Sequence, residues 1–397
     1  MHHATSVIAI AAAAFILPLL ASRLRISAVT LEIAFGILAG PALLRLISRS
    51  ELLDFLAEFG FLLLMFLSGF EIDFGKLERK GPLQLILAAA IFALTLTLSY
   101  WAAHALGYGA FVTFLLATTS VGLVVPTLRN ARLAATPFGQ LVLISALLAD
   151  FLTMLGVTTF ALIHEHGFGW SLLGIPALLI VTAAILVILK RVAWWYPEWF
   201  DRLFSANDPQ ELGIRASLAL MFIIVGLSYA LEVEPILGAF LAGTVFALVF
   251  RHRGLLEQQL AGFSYGFLIP VFFINVGLSF DLKALLEPGV MLRALALLLA
   301  AVAVKLIPSL LLVVRSFTLR EAVAAGVLLS ARLSLVIAVA ALGVRLGLLD
   351  QGLRASVIVL AMVTSTFAPT LFRLLAPAPP ASAPSRLNNL EYSSRTH

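Results

Sequence analysis

Three ionisable side chains lie inside long apolar stretches of the sequence. They are Asp150 in SALLADFLTMLG, Lys305 in AVAVKLIPS and Arg332 in LLSARLSLVIA. A charged side chain at the centre of a membrane helix costs at least about 2.5–3.5 kcal/mol, and such groups usually face the protein interior or a water-filled cavity. The pattern therefore indicates either an ion or proton site or a structural ion pair between helices.

Asp150 is the strongest candidate for binding an ion. Burial disfavours the charged form of a carboxyl group, so a carboxyl at this depth can hold a proton or a small cation, but not both at once. That competition is the minimum chemistry of a cation/proton antiporter. A nearby Lys305 would act as the charge partner, and a cation arriving at Asp150 would displace its ammonium group and could release a second proton.

The preceding apolar stretch, ATTSVGLVVPTLRN, holds groups that could complete the site. Gly122 and Pro126 lie inside a helical pattern, and a proline removes one backbone hydrogen bond. Such breaks persist in membranes where the freed carbonyls face a cavity or find other partners. These carbonyls and the hydroxyls of Thr119 and Ser120 are oxygen ligands that suit an alkali cation, whereas a simple proline kink is the alternative.

Arg332 has serines on both sides, at Ser330 and Ser334. We expect it to be a structural arginine that binds unpaired carbonyls rather than an ion carrier. The sequence has no Cys/His metal spacing, nucleotide-binding loop or convincing catalytic triad. We therefore expect no enzyme activity, no cofactor, no nucleotide and no nucleic acid, only transported Na⁺ or K⁺ and H⁺.

The composition predicts a membrane protein. Hydrophobic residues make up 61% of the 397 residues and charged residues only 12%, against about 25% charged in a soluble domain. A bilayer core of about 30 Å needs about 20 residues of helix. We expect an all-α polytopic protein with about thirteen spans: 5–24, 28–47, 52–72, 82–106, 109–129, 137–163, 171–190, 212–231, 236–250, 262–281 (broken at Pro270), 289–314, 320–344 and 351–375. The proline-rich residues 377–397 are expected to be a disordered cytoplasmic tail.

The distribution of basic residues predicts the orientation. With the N-terminus outside, 18 of the 26 Lys and Arg residues fall on the inside and 6 on the outside. Basic residues collect in cytoplasmic loops of membrane proteins. We therefore expect the N-terminus outside and the C-terminus in the cytoplasm.

An internal repeat is also present. LEIAFGILAGPAL (31–43) is similar to VEPILGAFLAGTVFAL (233–248), which pairs Glu32 with Glu234, and FLSGFEIDFGKL (66–77) is similar to INVGLSFDLKAL (274–285). Seven spans separate the copies, and an odd number inverts a repeat across the membrane. Inverted repeats are typical of transporters that bind substrate near the bilayer midplane, where broken helices meet.

These residues, in this order, resemble the monovalent cation:proton antiporter superfamily, in its bacterial sodium/proton and Kef-type potassium/proton branch. The resemblance rests on TTSVG, on Gly139-Gln140 leading into AxxxAD, and on the lysine at 305. The pieces GILAGP, FLSGFEIDF, GAFLAG and FFINVGLSFDL extend it over nearly the whole chain.

The resemblance implies an antiporter fold over residues 1–376 and a homodimer that works by an elevator-like movement in a prokaryotic plasma membrane. A dimerisation panel would comprise 1–81 and 212–283, an ion-carrying core 82–166 and 289–376, and a linker helix 171–190. The broken fifth and twelfth spans would cross beside Asp150, and Lys305 would match the family's lysine. In place of the Asp, Asn or Gln that usually precedes the aspartate, this chain has Ala149.

Two other functions fit some of these observations. A sodium-coupled organic-solute symporter can share an inverted-repeat fold, but it would need a polar cavity for an organic anion. A gated cation channel or the membrane subunit of a larger complex would also carry buried charges.

Overall fold

The computed structural model of the chain describes residues 2–24, 26–41, 43–47, 50–70, 82–196, 198, 210–249 and 253–377. The regular structure of these residues is helical throughout. Apart from Pro377, the predicted tail lies outside the described residues, as does Asp73 of the second repeat motif.

The helices are labelled here in chain order. They are α1 (His2–Leu24), α2 (Ala28–Ala39), α3 (Glu51–Phe70), α4 (Pro82–Ala105), α5 (Phe111–Ala117), α6 (Val121–Asn130), α7 (Pro137–His166), α8 (Gly174–Trp195), α9 (Leu212–Ala230), α10 (Pro235–Val249), α11 (Arg253–Phe263), α12 (Ile269–Leu278), α13 (Leu282–Leu286), α14 (Val290–Ser309), α15 (Leu319–Leu329), α16 (Ser334–Arg345) and α17 (Gln351–Leu375). Short 3₁₀ segments cover Trp170–Leu173 and Leu310–Arg315, and a π-helical turn covers Ser264–Leu268.

Many of these helices are long and apolar enough to cross a membrane. Within the described residues ten segments meet this condition, or eleven if the bent pair α15 and α16 counts as one span. Two shorter apolar helices, α2 and α10, coincide with the predicted second and ninth spans. The all-helical polytopic architecture is thus confirmed, while the count of thirteen crossings stays a prediction.

Two of the apolar segments are interrupted near their middles. Residues 118–120 separate α5 from α6, and residues 330–333 separate α15 from α16, whose axes differ by 46°. Gly122 and Pro126, which the sequence suggested as the cause of the first break, lie inside α6 instead. The break therefore falls at hydroxyl residues whose backbone groups find partners elsewhere, as described below.

The third predicted interruption, at Pro270, is wrong. The chain stays helical from α11 through the π-helical turn and into α12, where Pro270 occupies the first turn. A π-helical turn changes which carbonyl each N–H reaches. The helix can thereby accommodate a proline, which has no N–H to donate.

The described helices pack as two groups. In one, α10 packs on α3 and α9, and α12 packs on α2 and α3. In the other, α14 packs on α4, α15 and α17, while α7 packs on α4, α5 and α6. Contacts between the groups are sparser and run mainly from α2 to α17 and from α7 to α10.

Glycines set the closest helix contacts of the first group. A Cβ on Gly277 of α12 would overlap the carbonyl of Ile33 and the amide of Ile37 on α2. A Cβ on Gly69 of α3 would overlap the carbonyl of Phe240 and meet the amide of Thr244 on α10. Helix α2, the second of the first repeat, therefore packs on α12, which ends the third span of the second repeat. In the same way α10, the second span of the second repeat, packs on α3, the third of the first. Two copies related by a two-fold axis are expected to show this reciprocal packing.

This packing corrects the register of the repeat. Gly36 of α2 approaches Gly277, and Gly243 of α10 approaches α3 at Phe66, so Gly36 and Gly243 occupy equivalent positions. The predicted pairing of Glu32 with Glu234 is therefore wrong. Helices α2 and α10 begin at equivalent positions, and Glu234, which directly precedes α10, corresponds to Ser27, which directly precedes α2.

Candidate functional site

The two helix breaks lie side by side in the interior, and Lys305 of α14 connects them to the rest of the second group. Its ammonium group donates hydrogen bonds to the carbonyl of Ala117, at 2.6 Å, and to Oγ1 of Thr119, at 2.7 Å. Thr119 Oγ1 in turn donates to the carbonyl of Leu329, at the end of α15, over 3.3 Å. One lysine and one threonine thus join α14, the first break and the end of α15.

Arg332, in the second break, binds the first. Its guanidinium donates from Nε to the carbonyl of Thr118 at 3.1 Å, and from Nη2 to the carbonyls of Leu116 at 2.5 Å and Ala301 at 2.8 Å. Arg332 is fully buried. It therefore holds α5, the second break and α14 together.

These bonds account for the backbone carbonyls that the end of α5 leaves without helical partners. The carbonyl of Phe114 accepts from the amide of Thr118, and that of Leu115 accepts from the Thr118 hydroxyl. The next three carbonyls, of residues 116–118, accept from Arg332 and Lys305. The end of a helix carries partial negative charge, so two cations are suited to stabilising it.

Asp150 lies within α7, 5% exposed. Lys305 and Arg332 are buried as well, and both bind the break between α5 and α6, on which α7 packs. The site therefore holds one carboxyl group and two basic groups in the protein interior, with carbonyls of α5 compensating part of the positive charge.

Thr153 provides an oxygen that the sequence did not single out. It is fully buried one helical turn after Asp150, and within the described residues its Oγ1 has no hydrogen-bond partner. Threonines inside helices often donate to the carbonyl four residues earlier. Thr159 of the same helix does so, to Leu155 at 2.7 Å, so the hydroxyl of Thr153 is available to another ligand.

The remaining candidate residues flank the two breaks. Ser120 is buried and directly precedes α6, while Ser330 is buried and donates its hydroxyl to the carbonyl of Val327 at 2.7 Å. Ser334 is the first residue of α16. A Cβ on Gly122 would meet no atom within 4 Å, so the backbone there borders open space.

Contacts between the two helix groups lie on both sides of Asp150, and the contacts described next lie on one of them. Phe151 of α7 stacks on Phe240 of α10, with ring centroids 6.1 Å apart. Farther along, Arg345 at the end of α16 donates to Glu234 at 2.5 Å, and His166 at the end of α7 lies 3.4 Å from Glu232. We call this the His166 side of the molecule, and the opposite side, where α6 ends, the Arg132 side.

The sequence indicated the charged residues of this site but not their partners. Backbone carbonyls carry no sequence signal, so the bonds to Leu116, Ala117 and Ala301 could not be found. Thr153 could have been found, because a hydroxyl one helical turn from a buried carboxyl lies on the same face.

Comparison with known proteins gives the family. The family described as sodium/hydrogen exchanger, transmembrane, matches residues 10–376. The chain belongs to the sodium/hydrogen exchanger family. This confirms the predicted resemblance to monovalent cation:proton antiporters, and the exchanger is therefore an integral membrane protein.

Two curated relatives of the exchanger cover most of its length. The putative Na(+)/H(+) antiporter YjbQ of Bacillus subtilis (strain 168) is 35% identical over 393 residues, which cover 93% of this chain and 62% of that protein. The chain thus spans less than two thirds of that relative. The probable Na(+)/H(+) antiporter 3 of Methanocaldococcus jannaschii is 26% identical over 370 residues, covering 90% of this chain and 93% of that one.

A solved structure shares the exchanger's fold. The sodium proton antiporter MjNhaP1 from Methanocaldococcus jannaschii at pH 8 aligns with a TM-score of 0.66 and 14% sequence identity, covering 95% of this chain and 100% of that one. At this low identity the similarity shows the fold alone. It does not show which ions bind or which residues bind them.

Proposed function

We propose that this exchanger moves a monovalent cation, Na⁺ or K⁺, against protons by alternating access at Asp150. The observation that carries the proposal is a carboxyl group buried in α7, the helix that packs on α5 and α6, while the ammonium group of Lys305 binds the broken segment between those two helices. Membership of the family supports cation/proton exchange as the class of transport. Competition between a proton and a cation for Asp150 couples the two fluxes in this proposal.

The exchange follows from charge balance in a buried site. Asp150 is neutral when it binds a proton and forms a neutral pair when it binds an alkali cation, and both states avoid an isolated charge in the protein interior. Thr119, Ser120 and Thr153 supply neutral oxygens near the carboxylate. Lys305 competes with the cation, because both are attracted to the same carboxylate.

The two packed groups provide the moving parts. In this proposal the helices of residues 1–81 and 212–283 form a dimerisation panel, those of 82–166 and 289–376 form the ion-carrying core, and 171–190 is the linker. The sparse contacts between the groups allow one to slide against the other. The two breaks move together with α14, because Lys305 and Arg332 bind them to one another. Asp150 moves with them on α7, which packs on α5 and α6.

The resemblance to the family supports a proposal for the assembly, and the distribution of basic residues supports one for the orientation. We propose a homodimer in a prokaryotic plasma membrane, with the N-terminus outside and the C-terminus in the cytoplasm. This orientation places the His166 side outside and the Arg132 side inside.

The test is proton flux in proteoliposomes that contain a pH-sensitive dye. Addition of Li⁺, Na⁺, K⁺ or Rb⁺ over a series of pH values should release protons for the transported ions, and Asp150→Asn or Asp150→Ala should abolish the response. Glu287→Gln, which removes an exposed carboxylate, is the matched control and should leave it unchanged.

Wild-type flux in both Asp150 variants would overturn the proposal. Sodium-dependent uptake of an organic solute without proton movement would indicate a symporter, and single-channel currents would indicate a channel.

A further inference from the structure

The two sides of the molecule differ in how the helix groups are joined. On the Arg132 side neutral hydroxyls join them, since Thr30 at the start of α2 bonds to Thr366 of α17 at 2.8 Å. On the His166 side, Arg345 of α16 bonds to Glu234, which precedes α10. The pair therefore joins the two groups. The Glu234 side chain is only 10% exposed and that of Arg345 is 61% exposed, so solvent screens the pair only in part.

Two further contacts strengthen the closure of this side. His166, at the end of α7, contacts Glu232, which lies in the same loop as Glu234. Both of these side chains are well exposed, so the contact is weak. Nearer Asp150, the rings of Phe151 and Phe240 stack between α7 and α10. These contacts hold the two helix groups together on the His166 side in this conformation.

The inverted repeat identifies the equivalent positions on the other side. Helices α6 and α16 each begin directly after a break, at Val121 and Ser334, and Arg132 lies as far from Val121 along the chain as Arg345 lies from Ser334. The equivalent of Glu234 is Ser27, as the helix register shows. The Arg132 side therefore has the arginine of the pair but a serine in place of the carboxylate.

The arginine of that side is unengaged in this conformation. Arg132 is exposed, and among the described residues it forms no ion pair. When inverted repeats exchange conformations, each side acquires the contacts of the other. Closure of the Arg132 side would then bring Arg132 towards the hydroxyl of Ser27, a weaker partner than a carboxylate.

We infer that the Glu234–Arg345 pair, here called the latch, is a one-sided gate that biases the exchanger towards the conformation closed on the His166 side. The inference rests on the proposed alternating access, and it adds a difference in free energy between the two states. A contact made in only one state shifts the population towards that state by its own free energy.

The chain has no cysteine, so single cysteines can report access without background. Val157→Cys places a thiol two turns after Asp150 on the same face of α7, at a buried position towards the His166 side. Gly122→Cys places one beside open space at the start of α6. The rate of maleimide labelling in detergent micelles measures access to each thiol.

Loss of the latch should change the two rates in opposite directions. Glu234→Gln or Arg345→Gln should raise labelling of Val157→Cys by about fivefold, as expected for a partly exposed ion pair, and should lower labelling of Gly122→Cys. The charge exchange Glu234→Arg with Arg345→Glu should restore both rates. Ser27→Glu, which gives Arg132 a carboxylate partner, should also raise labelling of Val157→Cys.

Unchanged rates would overturn the latch, and so would a rise at both reporters, which indicates general loosening of the fold. Repeating the labelling in an Asp150→Asn background separates this inference from the proposed function. Labelling reads the conformation whether or not ions are exchanged, whereas proton flux tests the exchange itself.

Discussion

At the scale of single residues, the site depends on two basic side chains that bind backbone carbonyls. Lys305 and Arg332 together serve the carbonyls of residues 116–118 and that of Ala301. An unpaired carbonyl in a buried site costs about 1–3 kcal/mol. The two basic residues therefore stabilise a backbone arrangement that would otherwise be unfavourable.

Arg332→Gln should destabilise the protein by about 3 kcal/mol or more, because a shorter neutral side chain leaves at least two of its carbonyls without a partner. Thermal unfolding in detergent micelles measures the change. Arg373→Gln, an exposed arginine on α17, is the control and should have little effect. Equal unfolding temperatures for the Arg332 variant and the wild type would show that the three bonds do not support the break.

Thr153→Val should raise the cation concentration for half-maximal exchange by about fivefold, because it removes one oxygen ligand worth about 1 kcal/mol. The fold should be unaffected, since the hydroxyl has no partner in the described residues. Thr159→Val removes a hydroxyl that bonds within its own helix and is the matched control. Dose–response curves of proton flux compare the two, and equal half-maximal concentrations would exclude Thr153 as a ligand.

At the scale of helices, glycine contacts decide how the repeats assemble. The closest approach of α10 to α3 occurs at Gly243 and Gly69, and that of α2 to α12 at Gly36 and Gly277. Small residues let membrane helices approach closely, and packing is a main source of their association. The same contacts fix the repeat register, which motif similarity placed incorrectly.

Gly243→Ala should destabilise the protein by about 1–3 kcal/mol, as overpacking does elsewhere, because the new methyl group would overlap the backbone carbonyl of Phe66. Gly226→Ala in α9 is the matched control. Its Cβ would meet nothing within 4 Å, and alanine is a better helix former by up to about 1 kcal/mol. A Gly243 variant as stable as the control would contradict the packing described for α3 and α10.

At the scale of the whole molecule, the described helices form two groups, with fewer contacts between the groups than within them. The contacts of α7 with α10 and of α2 with α17 include polar bonds, such as that between the hydroxyls of Thr30 and Thr366 at 2.8 Å. Buried hydrophobic residues continue across this interface, since Met154 and Val157 of α7 belong to the same core cluster as Phe240 of α10. The proposed alternating access requires the two groups to move relative to one another across this interface.

A short thiol-reactive cross-linker between Phe151→Cys and Phe240→Cys should stop proton exchange, because it fixes α7 to α10 across the interface. The control pair Phe66→Cys and Phe246→Cys joins α3 to α10 within one group, where the native rings lie 6.1 Å apart. Cross-linking that pair should leave exchange intact. Flux that continues after complete cross-linking of the first pair would show that the groups need not move.

The sequence by itself determined that this protein folds in a membrane and which ionisable residues lie within its apolar helices. Its composition required membrane helices, and the cost of burying a charge singled out Asp150, Lys305 and Arg332. Tertiary structure decided the rest. The first break lies at residues 118–120 rather than at Pro126, because Lys305 and Arg332 reach the freed carbonyls there, and such partners come from distant parts of the chain. The register of the repeat was likewise settled by where helix backbones touch, which a motif of glycines and alanines does not specify.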